Sequence, residues 1–168
     1  MYQLAAYLHL LSAIVWVGGM LFLVMVLIPV TRGIQGPPGI GVRVLGSAAR
    51  KFRVVAWGAL IGLVGTGIWL LSERGVSPSD IFSGDGFFYE TLRAKVVLVA
   101  LVLALSATHD FVLGPRLARA MEALRGASGN RGTVQRRLQL VRWMARVNLV
   151  LALAILALGV MLLRGSPL

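Results

Sequence analysis

Cysteine is absent from this 168-residue sequence, which excludes disulfides, thiolate metal sites, covalently attached haem and a cysteine nucleophile. The same absence leaves the redox compartment open. Acidic residues are also scarce, six Asp and Glu against 17 Lys and Arg, and no paired-carboxylate arrangement appears. Neither a phosphate-cradling glycine loop nor a catalytic triad is present. A net charge of +11 would point to nucleic acid in a soluble domain, but this composition is not that of one. Hydrophobic residues make up 58% and the mean hydropathy is +0.84, whereas about half the residues of a soluble domain are apolar. In a membrane protein a basic surplus records orientation, and no nucleic-acid partner is expected.

What the chain has is four long apolar runs. A bilayer-spanning helix needs roughly 20 mostly apolar residues, and the runs cover about Leu4 to Val30, Val54 to Ser72, Ala94 to Leu113 and Met144 to Leu163. The expected fold is therefore all-α, an integral membrane four-helix bundle forming one domain over residues 1–168. The first run lacks the basic leader and cleavage site of a signal peptide, so it reads as a retained helix, long enough to cross at a tilt or to project from the bilayer.

Charge sets the orientation. The connection from Thr31 to Arg53 holds Arg32, Arg43, Arg50, Lys51 and Arg53 without an acid. The connection from Gly114 to Arg146 holds eight arginines against Glu122 alone. Residues 73–93 instead hold Glu73, Asp80, Asp85 and Glu90 with only Arg74 and Arg93. By the positive-inside rule the two basic connections are cytoplasmic and both termini lie outside. Within them GIQGPPGIG reads as flexible, the second helix is expected to begin near Val42, and a kink is expected at Gly114-Pro115. GASGNRG reads as a turn, with Thr133 as N-cap of the fourth helix. The Arg-rich inner faces suit anionic lipid headgroups, although a solvated, orienting role is the plainer reading. A weak internal repeat also shows: each odd-numbered span carries one His, ends near a Pro followed by Arg (IPVTR, GPR) and leads through a basic connection into an even-numbered span.

Ionisable side chains inside spans are costly and mark candidate functional sites. His9 stands eight residues before the midpoint of its span, roughly 12 Å toward the outside, and Lys95 stands at the same depth in the third span. His109 follows that span's midpoint by six residues, about 9 Å toward the cytoplasm. A depth difference of about 20 Å between the histidines disfavours one haem iron held by both, and allows an outer site with His9 and Lys95 and an inner one with His109. Helical phase puts His9 on one face with Ser12, Ala13, Trp16 and Met20. Lys95, Leu98, Val102, Ser106 and His109 form a second stripe. Gly58, Gly62, Gly65 and Trp69 share a third face, suited to tight helix contact, with Gly58-x-x-x-Gly62 as the packing motif, or to a flat ligand. Asp110 is placed either to orient His109 or to pair with Arg116, Lys95 to snorkel if it serves no ligand, and Asn148 to bridge helices. Trp57 and Trp143 read as inner-interface residues. Met1, His9 and Met161 make a weak candidate for soft copper ligation.

The string HLLSAIVWVGGMLF (His9 to Phe22) resembles the first helix of the copper-resistance D (CopD) membrane domain. KVVLVALVLALSATHDFVLGPRL (Lys95 to Leu117) is similar to a later helix of that group. The wider superfamily includes HemJ-type protoporphyrinogen oxidases, with a similar His…Trp…Gly first helix and a Lys on a later one. The resemblance implies a four-helix membrane fold in a bacterial inner (cytoplasmic) membrane, with either b-type haem binding or copper movement. Under the haem reading, which is favoured here, His9 is an iron ligand, Lys95 a second ligand or propionate partner, and Trp16 and Trp69 flank the cofactor. The protein then passes electrons as a redox protein or membrane oxidoreductase, and a second haem or a quinone lies near His109. Copper transport is the alternative, and a noncatalytic subunit of a larger complex, or a homodimer packed through the Gly58 face, remains open.

Because the chain lacks cysteine, single cysteines test its orientation directly. In intact cells a membrane-impermeant thiol reagent is expected to label Ser83→Cys and to reach Thr133→Cys only after permeabilisation. The reverse pattern would invert the topology.

Overall fold

The computed structural model describes residues 1–35, 39–126 and 129–164, and these are helical with short connections and no strand. The chain divides into two compact units, Met1–Ile81 and Phe82–Leu168. Its four long helices, Tyr2–Gly33, Ile40–Glu73, Phe87–Leu124 and Arg131–Arg164, are each apolar and long enough to cross a membrane. The second and fourth contain 34 residues, about 51 Å of helix against a hydrocarbon core of about 30 Å. Both therefore extend well beyond the bilayer at their basic ends.

In the first unit, α1 (Tyr2–Phe22) passes through a π-helical turn (Leu23–Leu27) into α2 (Ile28–Gly33), and α3 (Ile40–Glu73) returns against α1. Among lipid tails no hydrophobic force drives helices together, so close contact depends on small residues. Here glycines of both helices supply it. A Cβ on Gly62 would lie 2.7 Å from Ser12 Oγ, one on Gly67 would lie 3.4 Å from His9 Cε1, and one on Gly19 would overlap the ring of Phe52. Gly58 and Gly65 meet nothing within 4 Å and Trp69 is 51% exposed. Of the expected stripe Gly62 makes the contact, and the packed face turns from Gly58, Gly65 and Trp69 toward Ala59, Leu60, Thr66 and Gly67. Near the outer end, Arg74 donates to the Tyr2 hydroxyl at 2.8 Å.

α3 stops in a Schellman arrangement, with Gly75 at φ 69° and backbone bonds from Val76 to Leu71 and from Gly75 to Ser72. The short α4 (Pro78–Ser83) opens on a reciprocal cap in which Ser77 N–H donates to Asp80 Oδ2 at 2.7 Å while Asp80 N–H reaches Ser77 Oγ. The bond from the Ser77 backbone, followed by that with its side chain, holds the Asp80 carboxyl below its ordinary 3.8. That cap persists above this value and is lost as pH falls through the lowered one.

In the second unit, α5 (Phe87–Ala107) runs through another π-helical stretch (Thr108–Leu113) into α6 (Gly114–Arg125), and α7 (Arg131–Arg164) packs on α5 and α6. Val102 and Ala152, 1% and 0% exposed, lie at its centre. The irregularity expected at Gly114-Pro115 takes the form of this π stretch. Proline lacks an N–H and its ring crowds the carbonyl four residues back, and a wider turn at that carbonyl relieves the conflict. Pro29 follows the first π turn in the same register, two residues after its last member. α7 begins at Arg131, earlier than expected, because Asn130 rather than Thr133 caps it: Asn130 Oδ1 accepts Gly132 N–H at 2.7 Å. The second helix likewise starts slightly early, at Ile40, behind Gly39 with φ 86°. Of the two connections expected to be flexible or turning, Gly36 to Pro38 and residues 127–128 lie outside the described residues.

Adjacent glycines offer a test of the first hairpin. Gly18 has open space where a Cβ would go, whereas Gly19 is filled by Phe52. Gly19→Ala is expected to destabilise by about 1–3 kcal/mol through overpacking, and Gly18→Ala to be neutral or stabilising by up to about 1 kcal/mol. Thermal unfolding in detergent measures both, and equal effects would show that the Phe52 contact is not made.

Candidate functional site

His9 sits in the N-terminal half of α1, half-buried, with its imidazole against α3. Its Nδ1 is 2.8 Å from Thr66 Oγ1, and Thr66 Oγ1 is 2.6 Å from the Gly62 carbonyl oxygen. A carbonyl only accepts, so the single hydroxyl proton of Thr66 goes to Gly62. Thr66 must then accept from His9, which places the imidazole proton on Nδ1 and the lone pair on Nε2. Gly67 completes the arrangement, since a side chain there would meet the imidazole carbon Cε1. Trp16, two turns along the same face, is 4% exposed and Ala13 is buried. A hydrogen bond to one ring nitrogen sets the plane and tautomer of an imidazole, as it does for histidines that ligate metals.

Thr66 was not among the residues singled out from sequence. The available signal was that it is the one hydroxyl in the interior of the second apolar run. Trp69 lies one turn further along α3 on the exposed face, its Nε1 donating to Glu73 Oε1 at 3.2 Å.

The second unit presents a parallel arrangement at Lys95. The amine Nζ lies 3.7 Å from the position a Cβ would take on Gly159 of α7, as the His9 ring lies over Gly67 of α3. Lys95 stands 20 residues ahead of Pro115 and His9 stands 20 residues ahead of Pro29. In the same register buried Thr91 matches Ala5 and buried Val102 matches Trp16. The weak repeat is thus a structural one, with π turn, proline, two buried positions and glycine contact repeated. The Lys95 stripe centres on Val102, and one turn beyond, Ser106 Oγ lies 3.5 Å from Asn148 Oδ1, so Asn148 bridges α5 and α7.

His109 lies within the second π stretch, its Nδ1 2.9 Å from Asp110 Oδ1, with side chains 34% and 18% exposed. Asp110 therefore orients the ring of its neighbour. Met1 is 88% exposed at the start of α1, and among the described residues no group of three or more His, Asp or Glu is gathered for a metal ion.

Residues 46–162 match the family described as Copper resistance protein D. The match takes in Thr66, Lys95 and His109 and leaves out His9. No curated protein and no solved structure gave a match.

The hydrogen-bond order around His9 is open to nitrogen NMR of the imidazole. The Nδ1–H tautomer is expected to dominate, and Thr66→Val, isosteric without the hydroxyl, to mix in the Nε2–H form while Thr66→Ser retains the original. A dominant Nε2–H form in the unaltered protein would reverse the assignment.

Proposed function

The chain belongs to the copper resistance protein D family, and from that premise we propose that it handles copper within the bilayer, with His9 Nε2 as a ligand to the ion. As a family member with four membrane-crossing helices it is a copper-resistance-type integral membrane protein. The observation that carries the finer reading is the chain of hydrogen bonds from His9 Nδ1 through Thr66 to the Gly62 carbonyl. It fixes the tautomer and the ring plane through Nδ1. Copper is cargo in this reading. Imidazole suits copper, thioether suits Cu(I), and with no thiolate available binding stays weak enough for release. The proposed location is the cytoplasmic membrane of a bacterium, with the His9 end facing outward.

A second reading has one observation in its favour. His9 and Lys95 occupy the same register in the two halves of the repeat, and each by itself suits a b-type haem, an imidazole as axial ligand and an amine as ligand or propionate partner. Bound there, haem would supply one-electron chemistry. The glycines at Gly62 and Gly67 count against a flat cofactor within the first hairpin, since Ser12 and His9 already occupy the space beside them.

Absorption spectroscopy and copper titration of the detergent-purified protein separate these readings. The proposal expects a colourless protein that binds copper near one equivalent. Affinity should be lost in His9→Ala and fall by about 10–100-fold in Thr66→Val, the usual effect of removing a group that orients a ligand. A Soret band that collapses in His9→Ala would replace copper with haem. Neither colour nor copper would leave a noncatalytic subunit.

A further inference from the structure

We propose that α7 carries a binding site for an anionic phospholipid headgroup of the inner leaflet, formed by Arg142 and Arg146 with Gln139 and placed by Trp143. The depth follows from the sequence of α7. An apolar run from Val147 to Leu163, interrupted only by Asn148, is bounded by Arg146 and Arg164. Its 17 residues span about 25 Å, so Arg146 lies at the edge of the hydrocarbon core. Arg142 lies one turn, about 6 Å, further out, in the headgroup layer. Between them Trp143 is 60% exposed, the position favoured by an indole at the membrane interface.

Spacing puts the polar groups on one stripe. Gln139, Arg142 and Arg146 recur at intervals of three and four, and all three are exposed. Leu140, 44% exposed, and Trp143 border the stripe with apolar surface that acyl chains can cover. No acid competes for these arginines: α7 contains neither Asp nor Glu along its length, and in the described structure neither Arg142 nor Arg146 makes an ion pair. Arg137 differs, since its guanidinium is engaged with the Arg116 carbonyl of α6. Two guanidinium groups one turn apart present forked N–H donors that match phosphate oxygens. The site therefore calls for a phosphodiester with net negative charge. A zwitterionic lipid would bring an ammonium against the same arginines.

Arg131 and Arg136 provide the internal control. They carry the same charge on the same helix but stand at least six residues beyond Arg142, about 9 Å or more further into the cytoplasm, a distance comparable to a Debye length of roughly 8–10 Å.

The full chain is reconstituted in phosphatidylcholine vesicles containing a minor fraction of brominated phosphatidylglycerol or, separately, brominated phosphatidylcholine. The Trp143 contribution to fluorescence is isolated by comparison with Trp143→Phe. Quenching by the anionic lipid should exceed that by the zwitterionic one, reflecting enrichment of about fivefold per arginine engaged. Arg142→Gln/Arg146→Gln should abolish the difference and Arg131→Gln/Arg136→Gln should keep most of it. Equal quenching by the two lipids overturns the proposal. Equal losses in the two double variants would reduce it to diffuse charge attraction, and suppression of the enrichment by inorganic phosphate would assign the site to the free anion; either overturns it.

Discussion

A threonine hydroxyl has one proton, and the contact between α1 and α3 is organised around where that proton goes. Directed to the Gly62 carbonyl, it makes Thr66 an acceptor toward α1, and His9 is the group that answers. The bond is made only because the two helices approach closely, which in turn needs hydrogen rather than a side chain at Gly62 and Gly19. Packing therefore serves two ends here. It holds two apolar helices together where water exclusion supplies no attraction between them, and it brings a polar pair into register inside a medium that penalises unpartnered polar groups.

Much of the architecture was legible from composition and charge. The four spans follow from hydropathy alone because a lipid-facing helix is apolar all round and nothing else in the chain is. The all-α class follows from the same requirement. Boundaries were less legible where side-chain capping decides them: Asn130 displaces Thr133 as cap because its amide oxygen already satisfies Gly132 N–H. The packed face of α3 was also misplaced. A wheel drawn on glycine positions cannot distinguish glycines that admit a neighbouring helix, Gly62 and Gly67, from glycines in open space, Gly58 and Gly65. Thr66 escaped attention for a similar reason. Threonines in membrane helices commonly bond their own backbone, and only the placement of His9 opposite gives this one a second role.

The candidate site residues divide by what surrounds them. His9 has a partner that sets its chemistry, His109 has a neighbour that orients it, and Trp69 turns outward to Glu73. Lys95 gains meaning mainly from the repeat, which puts an amine where the other half carries an imidazole, each over a glycine. Such a duplication explains how one chain acquires two intramembrane nitrogens of different basicity: the scaffold is kept and a single position diverges.

The wide turns ahead of Pro29 and Pro115 have a consequence for how side chains are apportioned around each helix. A π turn accommodates one residue more than an α turn, so every position beyond it is rotated by about 100° relative to an uninterrupted helix. Thr31 is buried although the phase counted from His9 does not carry through Leu23–Leu27 unchanged. The C-terminal third of each odd-numbered helix thus faces its surroundings with an azimuth independent of the N-terminal two thirds. Evolution can alter one end without re-aiming the other, and loss of a single residue there would swing the whole basic end onto a different side.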